Sequence, residues 1–307
     1  MGKSTRIMCS GLLLLSAFLA EMVQGGAVPA LFVFGDSQTD VGNNNDNLVT
    51  PFRANFPHNG VDYPPGNLAT GRFSNGYNLA DFMARSLCLA SPPAYHSVVN
   101  TTGYYSMFLN GANFASGGAG VLDVTNKGLA ITFGEQIERD YLSVYKRLVQ
   151  KLGKAQATTH LASSIFTAGI GGNDIATRVL SDPTTTTTTD QLLLISDQQF
   201  INLLSKSLKR KLQRLYELGM RKLFLVGTGP LGCYPLLRQR SLVAMECDAE
   251  ANALSRQYNA AAVAILRDMS TRHPGLAVLL LGPIRGGAAA LLKRKRRAVA
   301  SGRALPC

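Results

Sequence analysis

Three short polar stretches carry residue types that can do chemistry together. Gly35-Asp36-Ser37-Gln38-Thr39-Asp40-Val41-Gly42-Asn43 sets a serine between small and acidic residues, and Asn110-Gly111-Ala112-Asn113 and Gly171-Gly172-Asn173-Asp174 supply glycines and asparagines. A serine at the end of a strand can present its hydroxyl to a cleft. A glycine lets a backbone N–H approach a ligand closely, and an asparagine adds amide donors. A nucleophile with convergent donors is what acyl transfer needs, because its tetrahedral intermediate gathers negative charge on one oxygen. Singly, each stretch is weak: Gly-Asp-Ser also reads as a loop with a helix N-cap, and Gly-x-Asn-Asp as a turn. Their order, each following a strand-like run, makes the set specific.

Elements must hold these stretches in place. Apolar runs at 30–34, 108–114, 164–170, 222–226 and 276–281 read as five strands. Residues 42–78, rich in Asn, Pro and Gly, read as a long irregular loop. Helices are expected at 79–87, at 133–152, at 200–218 with Leu204, Leu208, Leu212 and Leu215 on one face, and at 247–272. Gly219 stops the third of these. Strands alternating with helices imply a parallel sheet covered on both faces. The expected fold is therefore α/β, a three-layer α/β/α sandwich in one domain, with function at the carboxyl ends of its strands. The six threonines at 184–189 read as a low-complexity surface insert.

Composition bounds the class. Apolar residues are 46% and charged residues 16% of the 307, enough for a large core and unlike a disordered or fibrous chain. The net charge of +12 is concentrated late: up to the last acid, Asp268, the chain holds 23 basic and 19 acidic residues. That balance does not point to a nucleic-acid partner. Lys3 and Arg6, an apolar run at 7–20 and small Gly25 and Gly26 form the pattern of a secretory signal peptide over residues 1–25. The run is shorter than the roughly 20 residues that span a bilayer, so a soluble, secreted, extracellular or cell-wall protein without membrane insertion is expected. After cleavage, Cys88, Cys233, Cys247 and Cys307 allow three full pairings. Closeness in sequence and turn-rich flanks favour Cys233 with Cys247. Asn100-Thr101-Thr102 is then an N-glycosylation acceptor at Asn100.

The sequence resembles the plant GDSL esterase/lipase family of the SGNH hydrolase superfamily. The resemblance rests on residues 32–44, beginning Phe32-Val33-Phe34-Gly35-Asp36-Ser37. It rests also on Thr70-Gly71-Arg72-Phe73-Ser74-Asn75-Gly76, Asn113-Phe114-Ala115-Ser116-Gly117-Gly118-Ala119-Gly120, Gly171-Gly172-Asn173-Asp174 and Gly229-Pro230-Leu231-Gly232-Cys233. It covers residues 30 to 281. It implies a flavodoxin-like sheet of five parallel strands. Ser37 would be the nucleophile, with its own backbone N–H, the Gly111 N–H and the Asn173 side chain as oxyanion donors. Asp36 and Asp40 would shape the loop and not serve as the catalytic acid. The resemblance also implies the Cys233–Cys247 pairing, a lipid, polysaccharide or small-molecule ester as substrate, and no metal or cofactor. It leaves the oligomeric state open.

One part of the family pattern does not match. The family's catalytic Asp-x-x-His-Pro segment is not found in this sequence. His273-Pro274 follows Asp268 with four residues between instead of two, and it precedes the strand at 276–281 instead of following it. His58, His96 and His160 read as surface or loop residues. Residues 26–281 are thus expected to form the hydrolase domain, with 282–307 an atypical basic tail that resembles translation past a frameshift or a retained intron. Its Lys293–Arg297 run reads as solvated. The expected function is ester hydrolysis through a Ser37 acyl-enzyme, impaired for want of the Asp-x-x-His pair. The alternative is an inactive ester- or glycan-binding homologue.

Overall fold

The structure, a computed structural model, describes residues 28–45, 50–66, 68–99, 101, 104–181, 194–240, 246–284 and 287–292. The expected signal peptide at 1–25, Asn100, the threonine run at 184–189 and the basic run at 293–297 lie outside them.

The first strand, β1 (Leu31–Gly35), is buried along its whole length, as an apolar run in the middle of a parallel sheet must be. Helix α1 (Leu79–Ser86) starts where Asn78 and Asp81 form a reciprocal capping box. A short helix α2 (Tyr95–Val98) follows.

The second strand is shorter than its apolar run suggested. Tyr104–Asn110 is a 3-10 helix, and only Gly111–Asn113 forms β2. Phe108 is buried from that helix, stacked 5.7 Å from Tyr95. An apolar run reports burial, and at this length it does not distinguish strand from helix.

The helix expected at 133–152 has three parts. The first is α3 (Phe133–Glu135), capped by Thr132. A π-turn, Gln136–Tyr141, leads into α4 (Leu142–Leu152). Helix α5 (Lys154–Ser163), which sequence periodicity did not reveal, buries Ala157 and Leu161. Strand β3 (Ile165–Gly169) leads into α6 (Gly172–Leu180). Then come α7 (Asp197–Glu217), β4 (Lys222–Val226), the single turn α8 (Pro235–Arg238), α9 (Ala249–Arg272) and β5 (Ala277–Ile284).

The sheet order is β2-β1-β3-β4-β5, all parallel. With helices on both faces, this is the three-layer α/β/α sandwich expected from the alternation. A sixth strand, β6 (Gly287–Leu292), adds antiparallel to the edge of β5. Its Gly- and Ala-rich sequence has low β-propensity, and it falls within the tail expected at 282–307. The exposed edge of β5 offers a row of unpaired N–H and C=O groups that a proline-free segment can take.

Strand alternation divides the core. Phe32 and Phe34 of β1, Phe166 of β3, and Leu223 and Leu225 of β4 face the larger cluster, built with α3, α4, α7 and α9. Leu31, Val33, Ile165, Phe224 and Leu279 face the other side, where α1 contributes Ala80, Met83 and Ala84. Tyr141 sits edge-on to Phe32, Phe34, Phe114 and Phe166 at 5.5–5.8 Å, and its hydroxyl donates to the Leu218 carbonyl at 2.9 Å. Among the described residues, no helix is long and apolar enough to cross a membrane.

Candidate active site

Ser37 stands in the turn that leaves the carboxyl end of β1. It is half-buried between buried Asp36 and exposed Gln38. Backbone bonds from Thr39 N–H and Asp40 N–H to the Asp36 carbonyl, 3.1 and 3.0 Å, close the turn. The Asp36 N–H donates to the Gly169 carbonyl at 3.1 Å, which ties the turn to β3. The Ser37 hydroxyl and its backbone N–H take no hydrogen-bond partner among the described residues.

The two aspartates flanking Ser37 organise backbone. Asp36 accepts from the Gln38 N–H at 3.0 Å. Burial pushes its pKa up to about 7 against that hydrogen bond, with the charges of Asp174 and Asp40 adding to the rise. Asp40 accepts from the N–H groups of Gly42, Asn43 and Gly117 at 2.8–2.9 Å. Burial raises its pKa to about 6 against those three donors and the nearby Arg72. Asp40 thereby fastens the Ser37 loop to the loop that follows β2.

Gly111 is not at this site. It begins β2 and is level with Leu31, the first residue of β1, so the four-residue length of strand to Gly35 separates it from the Ser37 end, about 13 Å at 3.3 Å per residue. Its φ is +111°, and an added Cβ would lie 1.9 Å from the Leu31 carbonyl oxygen. Only glycine fits there, for reasons of packing. The glycines at the Ser37 end follow β2. Ser116 N–H donates to the Gly35 carbonyl at 3.0 Å, which sets Gly117 and Gly118 beside the turn. The Gly117 N–H is committed to Asp40. Gly118 is buried, has φ +84°, and its N–H takes no partner among the described residues. An unpaired N–H in a buried residue is uncommon. Gly118 therefore replaces Gly111 as the candidate donor.

Asn173 lies in the first turn of α6, just past β3, and is half-buried. Its Nδ2 donates to the Ala119 carbonyl at 2.9 Å, leaving the second amide hydrogen available. That bond brings Asn173 to the residue after Gly118. Next to it, Asp174 is fully buried and accepts from Val121 N–H, Leu122 N–H and Thr125 Oγ1 at 2.7–2.9 Å. Burial holds its carboxyl above the usual range in spite of these donors. Ser37, Gly118 and Asn173 thus each lie just past the carboxyl end of one of three neighbouring strands, β1, β2 and β3.

Tyr234, which no motif in the sequence marks, lies close enough to Asp36 to feel its charge. It is 43% exposed, and its hydroxyl pKa is raised by burial and by the nearby Asp36 charge. It follows directly on Cys233, which is bonded to Cys247 in the structure. The Thr70–Gly76 stretch of the resemblance serves the scaffold: Arg72 holds Asp81 of α1 through two 2.8 Å bonds.

None of the four histidines bonds to Ser37. His96 Nε2 lies 3.0 Å from Asp140 Oδ2. His160 is on α5, with its Nε2 buried and without a partner. His58 is exposed in the long loop. His273 contacts Gln213 Oε1 at 3.1 Å and stacks on Tyr216 at 4.0 Å. It precedes β5, whose first residue pairs with Lys222 at the start of β4, so it lies at the amino edge of the sheet. Asp268 is bound to Arg272 and Lys209 instead. Among the described residues, no group of three His, Cys, Asp or Glu side chains is arranged to hold a metal.

Comparison with known proteins gives one consistent result. The GDSL-like Lipase/Acylhydrolase family model matches residues 31–280. GDSL esterase/lipase At5g55050 of Arabidopsis thaliana is 36% identical over 261 residues, covering 81% of this chain and 65% of its own length. Two others from the same plant, GDSL esterase/lipase At5g37690 and At4g16230, are 35% and 32% identical, over 80% and 87% of this chain and 66% and 71% of theirs. The chain thus spans about two thirds of the length of the curated relatives it matches.

Proposed function

The chain belongs to the GDSL-like lipase/acylhydrolase family, and from that premise we propose that it acts on carboxylic esters through Ser37. The Ser37 hydroxyl attacks the ester carbonyl carbon, the carbonyl oxygen becomes an oxyanion, and loss of the alcohol leaves an acyl-serine that water hydrolyses. The oxyanion is received by the N–H groups of Ser37 and Gly118 and by the Asn173 amide. The observation that supports this reading is that the segments leaving three adjacent strand ends carry one hydroxyl and three N–H groups that no described residue claims. Donors fixed before the reaction lower the barrier without having to reorganise during it.

Turnover is proposed to be weak. No described group accepts the Ser37 proton, and a hydroxyl without a base is a poor nucleophile. In triad enzymes the oxyanion hole and binding alone retain on the order of 10³–10⁴ over water. A second reading follows from the same unpartnered hydroxyl: a protein that binds esters or acylated glycans without cleaving them. Secretion is also proposed. It is supported by the leader-like pattern at 1–25 and by the Cys233–Cys247 bond, a feature of oxidising compartments.

The test is hydrolysis of a short-chain nitrophenyl ester by the full chain and by Ser37→Ala. The expected outcome is slow release of nitrophenol that the substitution abolishes. Equal rates from both proteins, each giving a cooperative thermal transition, would reject the hydrolase reading and favour the binder.

A further inference from the structure

Past the end of β2 the chain goes on pairing with β1 in part: Phe114 N–H donates to the Val33 carbonyl at 2.7 Å and Ser116 N–H to the Gly35 carbonyl at 3.0 Å. Strand β2 ends at Asn113, level with Val33. Two residues further, the N–H of buried Gly35 points to the same side and needs a partner, while the Asn113 carbonyl of β2 accepts from Asn43 Nδ2 instead. It finds one in a side chain 101 residues away. Gly35 N–H donates to Gln136 Oε1 at 3.0 Å, and Gln136 Nε2 donates to the Gly35 carbonyl at 2.9 Å. The primary amide of Gln136 has the donor and acceptor pattern of a peptide group: it supplies the acceptor that the Gly35 N–H lacks and shares the Gly35 carbonyl with Ser116 N–H. Its second Nε2 hydrogen donates to the Ile131 carbonyl at 3.0 Å, so the amide is satisfied. Gln136 has no solvent exposure, and it opens the π-turn that breaks the helix. On the other side of the strand the Asp36 N–H is held by β3. Gln136 therefore joins Ser116 in restraining the β2 side of the strand end, two residues before Ser37, and it alone holds the Gly35 N–H.

We propose that Gln136 is a positioning residue for Ser37: its amide holds the Gly35 N–H that no backbone group pairs and so fixes the direction in which the Ser37 turn leaves the sheet. Gln136 does not touch the reacting atoms. The proposal rests on the reading of Ser37 as nucleophile for its catalytic consequence, and on geometry alone for its structural one. Removing the amide leaves β1 in the sheet, because its pairing with β3 is intact. The loss falls on the strand end and the turn. A group misplaced by 1 Å is enough to slow a reaction about a hundredfold.

The test compares the full chain with Gln136→Met, which keeps the length and loses the polar group, and with Gln136→Glu, which can still accept from Gly35 N–H but cannot donate to its carbonyl. Hydrogen exchange followed by mass spectrometry reads the backbone directly. The expected result in Gln136→Met is exchange faster by on the order of tenfold in the peptide covering 34–40, with β3 and β4 unchanged, as loss of local hydrogen bonds predicts. In Gln136→Glu the rise is smaller. With the nitrophenyl ester, kcat falls and KM stays the same. Unchanged exchange at 34–40, or a rise spread equally over the whole sheet, overturns the proposal. Should the parent chain show no Ser37-dependent turnover, the nucleophile reading fails while the exchange result still decides the role of Gln136. Should Gln136→Met not fold, the exchange pattern of Gln136→Glu decides it.

Discussion

Asp36 carries an unusual burden for a residue beside a nucleophile. Its carboxyl is almost wholly out of water, and burial lifts its pKa from 3.8 to about 7. The folded protein then holds this proton more tightly than the unfolded chain does. The contribution to stability is complete below pH 3.8 and drains away as the pH rises through about 7. Each pKa unit is worth about 1.4 kcal/mol, so the whole span amounts to at most about 4 kcal/mol. Asp40 adds a smaller term of the same sign between 3.8 and about 6. Asp36→Asn removes the larger ionisation while keeping an oxygen for the Gln38 N–H. The variant is expected to gain stability relative to the parent as the pH rises from 4 to 8. Thermal transitions across that range check it, and parallel curves for the two proteins would refute the assignment. At this scale the sequence was readable where chemistry is local. Ser37 and Asn173 lie in stretches whose residue types announce an exposed turn and a helix start. Gly111 misled because a glycine required by a close backbone contact looks the same in sequence as one required by a ligand. Gln136 and Tyr234 were not visible at all, because their relation to the turn exists only through tertiary contact.

Among the elements, α9 acts as a clasp over the site. Tyr258 donates to the Ile170 carbonyl just past β3 at 2.8 Å, and the ring lies against Gly171, where a Cβ would come within 2.6 Å of it. On the next residue, Asn259 Oδ1 accepts from Thr228 N–H at 2.9 Å while Nδ2 donates to the Thr228 carbonyl at 2.8 Å. One helical turn thus fixes the exits of β3 and β4. Asn259→Ala leaves both Thr228 groups buried and unpaired, and the expected loss is about 3 kcal/mol in urea denaturation. A loss below about 0.5 kcal/mol, the usual range for surface changes, would mean that water or a shifted loop replaces the clasp. The helices of strong periodicity were legible, α7 and α9 above all, because their buried residues recur at helical spacing. Helix α5 was not, since only Ala157 and Leu161 are buried in it. Strand β2 was misjudged because three residues are too few for alternation to show.

In the molecule as a whole, the parallel sheet followed from the alternation of apolar runs with amphipathic segments, while the antiparallel β6 did not, because its composition favours no strand. The Cys233–Cys247 bond joins residues 14 positions apart and closes a ring that contains Tyr234 and α8. Opening it in the Cys233→Ser/Cys247→Ser double variant is expected to cost about 3 kcal/mol, from the chain entropy released in the unfolded state. Equal urea midpoints for variant and parent would show that the ring is already ordered by its other contacts.

The restraints on the Ser37 turn also set a timetable. Gln136, Gly117 and Asn113 reach it from 101, 77 and 74 positions further along the chain. During synthesis, at about 5–20 residues per second, the serine emerges many seconds before the partners that shape its turn. Contacts between distant segments are also slow to form. The turn is therefore assembled among the late events of folding, and a nascent chain carries its serine without the surroundings that would make it reactive.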